Sequence, residues 1–423
     1  MEEEEMTSKI LGWILFMWLL CFVYPCHSQE TAIPKTSADS TTTVSAEEAA
    51  ANAIDSMAAR DDFVTASLLI LAPLKVLYSV FGHAMLRMEC PTHQLDYIYS
   101  FESEDDVGTF MRVVAGKAKA KYIAVPTDTF LNDCRETGRE VRQYRLNLKP
   151  REKQELWQLL DNELLLGAHR NFNLLYTNCL STTIIDVQRC LIAEQFEWGP
   201  LPFPQTLKDG DFLRYAVRHS PWAEFLFITF IGTAYESYSD INYKLMPETI
   251  ISMLREATII DDNTGESRFV VTDPGVVLVK DGGKNKGLPV SPTMVFGALL
   301  VVTLFITAME QWKGCYHLAK WFDILLFTAQ TLVGLLILYI LLFSEIFMGV
   351  WNWYLIGFLP LPLFIWWCLR GRWASIGWLA YCFILLLFIA ATPFIGALDL
   401  PHQLITTAIL VRCGSHFFMM KQK

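Results

Sequence analysis

No two of the ten cysteines stand as a CxxC pair, so zinc ribbons and thioredoxin-like redox centres are excluded. No HExxH, GxSxG or glycine-rich phosphate loop occurs, and His169 and His219 stand singly, so neither a metal centre nor a nucleotide cofactor is expected. A basic surplus is also missing. With 34 Lys and Arg against 44 Asp and Glu the net charge is −10, which argues against a nucleic-acid partner. Charge of either sign is scarcest after Pro292, where long runs of Leu, Ile, Phe and Trp begin. A chain that is 53% hydrophobic yet carries nearly all its charge before Lys286 is built for two solvents, water first and lipid second.

The order of segments follows from that division. Ile10–Tyr24 is an apolar run of signal-peptide length, and Cys26 and Ser28 are small residues at the positions a signal peptidase reads, so residues 1–28 are expected to be a leader cleaved after Ser28. The acidic start, Glu2 to Glu5, leaves an uncleaved anchor as the alternative. Residues 29–61, rich in Ser, Thr and Ala, read as a tether. Residues 62–290 form an exported globular domain, and 291–423 a membrane domain with apolar spans near 293–309, 321–343, 347–369, 374–397 and, more weakly, 403–419, where Arg412 interrupts. Lys313 and Lys320, then Arg370 and Arg372, then Arg412, Lys421 and Lys423 at the end, make alternate loops basic. The positive-inside rule therefore places the large domain outside the cell membrane. Lys280, Lys284 and Lys286 are dissenting charges, offset by Asp281 and the leader. Trp351, Trp353, Trp366, Trp367, Trp373 and Trp378 suit either interface anchoring or packing within the bundle.

Within the exported domain Ser67–Arg87 and Leu95–Phe101 have strand character and bracket a hairpin around His83. Pro150–Leu166 has helical spacing at Leu156, Leu159, Leu160 and Leu164. Asn178–Ile192 repeats it, with Asn178 as N-cap and Ile184, Ile185 and Leu191 facing the core. Four cysteines here, Cys90, Cys134, Cys179 and Cys190, leave a Cys90–Cys134 disulfide open, although a domain of this size has core enough without one.

The chemistry-bearing feature is Cys179 at the start of that second helix. Backbone N–H groups and the positive end of the helix dipole favour thiolate there, and the same amides suit an oxyanion hole. A cysteine in such a domain is commonly just a small buried hydrophobe, so a base must be found. His83, directly after Gly82 in a strand, is the candidate, and Asp96 on the return strand is the candidate orienter of its ring, with His93 and Glu102 as rivals. The acidic doublets Asp105-Asp106 and Asp261-Asp262 read as solvated loops.

The stretches Ser79-Val-Phe-Gly-His-Ala-Met-Leu-Arg87, Asp96-Tyr-Ile-Tyr-Ser-Phe101 and Tyr176-Thr-Asn-Cys-Leu-Ser-Thr182 resemble the Lnb-type family of Gram-negative bacteria. Ser220-Pro-Trp-Ala-Glu-Phe225, Ile231-Gly-Thr233 and Lys244-Leu-Met-Pro247 extend the resemblance, which spans about 65 to 415. It implies an α+β fold: a circularly permuted papain-like, NlpC-like extracytoplasmic domain followed by an all-α transmembrane bundle. It also implies Cys179 as nucleophile and His83 as base, with Asp96 less constrained. Leu180 stands where many relatives have Ser, a departure that leaves the thiol intact.

The family's Bacteroides namesakes are lipoprotein N-acyltransferases, so the resemblance implies a thiol-dependent transferase of the bacterial inner membrane, large domain in the periplasm, with no cofactor. Its donor would be a membrane phospholipid and its acceptor a diacylglyceryl-cysteine lipoprotein. The alternatives are a membrane-tethered cysteine amidase, peptidase or lipid hydrolase, and a non-catalytic membrane-anchored binding protein in which Cys179→Ser is silent.

Overall fold

A computed structural model describes residues 64–75, 79–103, 112–113, 115–173, 177–200, 214–232, 247–283, 287–345, 351–395 and 399–422. The expected leader and tether, and the acidic doublet at 105–106, lie outside the described residues.

β1 (Thr65–Leu71) and β2 (His83–Cys90) pair antiparallel from Thr65↔Glu89 to Leu71↔His83. A turn over Pro91–His93 leads into β3 (Leu95–Ser103), whose pairing with β2 runs from Cys90↔Leu95 to Leu86↔Tyr99 and stops there. β4 (Ala118–Pro126), α1 (Thr127–Thr137), β5 (Val141–Arg145), α2 (Pro150–Leu166), β6 (Arg170–Phe172), α3 (Cys179–Arg189) and β7 (Glu194–Glu197) follow. α4 (Pro221–Ile231), α5 (Pro247–Glu256), β8 (Thr258–Asp261), β9 (Ser267–Phe269) and β10 (Val276–Val279) complete the mixed α+β domain. One sheet has the order β10-β5-β1-β2-β3-β4-β6, and β7-β8-β9 form a second.

Strand alternation sorts the core onto two faces of the large sheet. Leu68, Ile70, Ala84, Leu86 and Met88 pack against Leu156 and Leu160 of α2 and Leu180, Ile184 and Val187 of α3. Leu69, Leu71, Met85 and Ile98 pack on the other face against Leu131 and Cys134 of α1. Each fully buried Leu or Ile contributes about 1.5–3 kcal/mol. The expectation for Ile185 is corrected: it is 41% exposed, because one step round the helix from buried Ile184 turns a side chain about 100° away from the sheet. Cys90 and Cys134 are buried free thiols, so the open disulfide is not formed.

Among the described residues three helices are long and apolar enough to cross a membrane: α6 (Pro292–Lys313), α7 (Tyr316–Phe343) and, further on, Gly371–Ala391. In place of the third expected span the chain makes α8 (Tyr354–Gly357) and α9 (Leu361–Cys368), broken at Pro360 and Pro362, which cannot continue a hydrogen-bond ladder. The freed carbonyls of Gly357 and Leu359 accept from the Gln330 side chain at 3.2 and 3.1 Å, which meets the requirement that backbone in lipid be satisfied internally. Gly334 of α7 makes room for this break, since a Cβ there would strike the Phe358 carbonyl. α10 (Gly371–Ala391) and α11 (Leu400–Gln422) close the bundle.

Arg412 does not interrupt α11. It is fully buried, with Nε and Nη2 clamping Asp323 of α7 at 2.6 and 2.7 Å, and Nη1 donating to Glu310 and Thr307 of α6 at 2.9 and 2.8 Å. Of the tryptophans, Trp378 packs within the bundle, buried and stacked 4.7 Å from His416, whereas Trp373 is 72% exposed.

The exported domain is seated on the bundle through α4, an apolar helix. Phe225 packs 4.9 Å from Phe296 of α6, and Trp222 donates to the Val290 carbonyl at 2.8 Å. Thr229 bonds His402 of α11 at 2.7 Å, and Asn352 donates to the Thr229 carbonyl at 2.8 Å. Phe227, on the same helix, meets Phe81 at 5.1 Å, two residues before His83.

Candidate functional site

Asn178, in extended conformation, caps α3, its Oδ1 accepting from Leu180 N–H at 3.0 Å and Ser181 N–H at 2.9 Å. The Ser181 hydroxyl returns the favour to the Asn178 amide at 2.9 Å. Cys179 is thereby fixed as the first helical residue, half-buried, as its sequence context predicts. The same cap narrows the expected oxyanion hole, because two first-turn amides already have an acceptor.

α3 packs against β2 and β3 where those strands stop pairing. Beyond Leu86↔Tyr99 the Ala84 amide has no β3 partner and faces the Cys179 sulfur instead. Burial pushes the thiol up, and the amides of Ala84, Leu180 and Cys179 itself, followed by the charge of Arg139, offset only part of the rise, which leaves it at about 11. His83, the chain neighbour of Ala84, belongs to the opposite sheet face, with Met85 and Ile98. Among the described contacts none joins the two candidates directly; what links them is the chain step from His83 to Ala84, whose amide faces the sulfur. The imidazole bonds not the sulfur but the Ser100 hydroxyl, Nε2 to Oγ 2.8 Å, and Ser100 in turn donates to Glu102 at 2.8 Å.

His83–Ser100–Glu102 is thus a hydrogen-bonded line along β3. Asp96 is elsewhere: Arg87 Nε and Nη2 hold its carboxylate at 2.8 and 2.6 Å and Thr127 donates at 2.6 Å. Burial raises the Asp96 carboxyl, but the Arg87 and Thr127 hydrogen bonds outweigh it and hold the group below the usual range. The group that meets His83 is therefore Ser100, backed by Glu102, and the expected role of Asp96 passes to structure. His93 lines a separate groove of about 650 Å³ with Tyr97, Trp157 and Asp161.

Burial, then the nearby Arg139 charge, pushes His83 down to about 4. The imidazole is accordingly neutral and proton-accepting across the neutral range. Cys179-dependent turnover should keep its rate as pH falls through the ordinary histidine value of 6.5 and lose it only towards about 4. An acid limb centred on 6.5 in kcat/KM contradicts this environment. Ser100→Ala removes the ring's partner, and a hydrogen-bond loss of about 1–3 kcal/mol corresponds to a fall in kcat of about fivefold to about 150-fold. Equal effects of Ser100→Ala and Glu102→Gln would mark the two as one relay.

Gly82 explains the placement of His83. Its φ of +81° lies in the region glycine favours, and an added Cβ would sit 2.6 Å from the Leu71 carbonyl oxygen. Sequence reasoning missed Ser100 and Arg139. Ser100 had little readable signal, since period two puts it on the same strand face as Asp96, Ile98 and Glu102 and nothing local singles it out. Arg139 had none, since its approach depends on how β5 joins the sheet. Among the described residues no group of three or more His, Cys, Asp or Glu side chains is placed to hold a metal ion.

Residues 53–209 match the model of the Lnb N-terminal periplasmic domain, and residues 284–423 that of the Lnb transmembrane domain. No curated protein and no solved structure matches the chain.

Proposed function

The chain belongs to the Lnb-type family, a membrane protein with a periplasmic domain and a C-terminal transmembrane domain, and from that premise we propose that it is an apolipoprotein N-acyltransferase of the inner membrane. The observation that carries the reading is the thiol of Cys179 at a capped helix start, facing the Ala84 amide, in a domain where Phe81, just before His83, rests on α4, the helix that contacts the bundle.

The chemistry follows from these groups. His83 takes the Cys179 proton as the sulfur attacks the ester carbonyl of a phospholipid, and negative charge moves to the carbonyl oxygen beside the amides of Cys179 and Ala84. The tetrahedral centre collapses with cleavage of the C–O bond, and the lyso-lipid oxygen leaves with the proton from His83. A Cys179 thioester remains. The α-amine of a diacylglyceryl-cysteine then attacks it; the C–N bond forms, the C–S bond breaks, and His83 conveys the amine proton to the departing sulfur.

A bilayer-level site suits this sequence of steps, because both substrates are lipid-anchored. The Phe81–Phe227 contact and the α4 bonds to His402 and Asn352, which tie this end of the domain to the helical bundle, support that reading. Water competes with the amine for a thioester, so an apolar, membrane-facing approach favours transfer over hydrolysis.

The test is mass spectrometry of a lipoprotein's N-terminal peptide from cells lacking their own N-acyltransferase, expressing this chain or its Cys179→Ala form. N-acylation with the intact chain alone is expected. Release of free fatty acid without N-acylation would instead identify a hydrolase, and an unchanged peptide with neither product would point to a binding protein.

A further inference from the structure

The seat of the exported domain on the bundle holds a charged group that the proposed steps do not use. Arg214 stands in a helical turn over residues 214–217, shortly before α4. Its Nη2 is buried and has no hydrogen-bond partner among the described residues. Burying such a nitrogen without an acceptor is costly, and a permanently charged guanidinium finds its strongest acceptors in carboxylates and phosphates. Arg214 lines a narrow cavity with Glu224, Phe227, Ile228 and Ile231 of α4. At about 10 Å³ the cavity admits roughly one oxygen-sized atom. Glu224 does not bond Nη2, and burial, opposed in part by the charge of Arg214, raises its carboxyl above the ordinary value. It therefore competes weakly for the guanidinium.

The cavity lies between the membrane helices and the chain that leads to His83. On one side α4 meets α6 through Phe225 and Phe296, about 6 Å past the start of α6 at Pro292. That is the domain-side end of a helix long enough to cross a membrane, the level at which lipid headgroups lie. On the other side Phe227 meets Phe81 at 5.1 Å, Val217 packs with Val80, and the His219 ring donates to the Val80 carbonyl at 3.0 Å.

We propose that this cavity is the headgroup subsite for the acyl donor: the Arg214 guanidinium donates to a non-bridging oxygen of a glycerophospholipid phosphate, and the apolar wall of Phe227, Ile228 and Ile231 receives the first carbons of an acyl chain. The inference deepens the acyl-transfer reading and rests on a phospholipid being the donor. A membrane lipid suits the site better than free phosphate, because the cavity takes one oxygen rather than a whole ion and its walls are largely apolar. A donor anchored by its phosphate has its ester bonds only a few atoms away, beside the segment from Phe81 to His83.

The experiment uses the full chain in detergent with Cys179→Ala, so that bound donor is not consumed. Calorimetry measures binding of a short-chain phosphatidylglycerol, of the diacylglycerol with the same chains, and of inorganic phosphate. Arg214→Gln should weaken phosphatidylglycerol binding by about tenfold to hundredfold, the effect of a charge-assisted hydrogen bond, and leave diacylglycerol binding unchanged. Arg214→Lys should recover part of the loss, and inorganic phosphate should not displace the lipid. Equal phosphatidylglycerol affinities, an equal loss for diacylglycerol, or displacement by inorganic phosphate would each overturn the inference. Should Arg214→Gln not fold, phenylglyoxal decides on the wild-type chain. Phosphatidylglycerol, and not diacylglycerol, should protect Arg214 from modification as read by peptide mass spectrometry; no such protection overturns the subsite. Failure of the underlying reading is separable. Arg214-dependent phospholipid binding without lipoprotein N-acylation sinks the transferase alone, and N-acylation with Arg214-independent binding sinks the subsite alone.

Discussion

Cys179→Ala should abolish acyl transfer while leaving the protein folded. A nucleophile and its base act as a unit, and losing either typically costs about 10⁴-fold or more in kcat. Serine does not rescue the thiol, because an alcohol is far harder to ionise than a thiol and burial raises both alike. His83→Ala should fall by a similar factor, and the double variant should be little worse than either single one, since each removes the same step. Thermal unfolding of Cys179→Ala should remain near wild type, because the helix start is held by Asn178 and Ser181 rather than by the sulfur. Retention of more than about a tenth of the activity would remove Cys179 from the mechanism.

Arg412→Leu should unfold the bundle. Arg412 is fully buried and pairs with Asp323 and Glu310, which are 1% and 4% exposed. Taking away the arginine leaves two buried carboxylates without their permanent positive partner, a loss of about 3–5 kcal/mol. Ser415 and His416 bond the same carboxylates at 2.8 and 2.9 Å, so the damage would spread through α6, α7 and α11 together. Replacing Asp323, Glu310 and Arg412 all by leucine should regain most of that stability, because the burial cost of all three charges then disappears. Thermal unfolding in detergent measures both. An Arg412→Leu protein as stable as wild type would mean that the cluster is solvated rather than buried.

The exported domain was largely legible because its residues obey short-range rules. Asn178 before an apolar period is an N-cap wherever the chain goes next, and Gly82 before a strand histidine signals a tight approach. The positions that misled depend on distant partners. Asp96 lies on the strand opposite His83's own, but Arg87, four residues past His83 on β2, claims it, and that contact requires the register Arg87↔Ile98. Ser100 wins the imidazole because β2 and β3 cease to pair there, a break that no local pattern encodes. In the membrane half, composition located the helices within a few residues. It misjudged Arg412 as an interruption because the compensating carboxylates sit 89 and 102 residues earlier. The broken third span was written in Pro360 and Pro362, but Gln330 and Gly334, which make the break tolerable, come from another helix.

The most direct test is whether Cys179 carries the acyl chain. The purified full-length protein, incubated with phospholipid in the absence of lipoprotein and digested at low pH, should yield a peptide containing Cys179 heavier by one donor acyl group. That mass should disappear on treatment with hydroxylamine, which cleaves thioesters, and on adding a diacylglyceryl lipopeptide, which accepts the chain. An unmodified Cys179 peptide under conditions in which the lipopeptide still becomes N-acylated would contradict the thioester route and the assignment of the nucleophile with it.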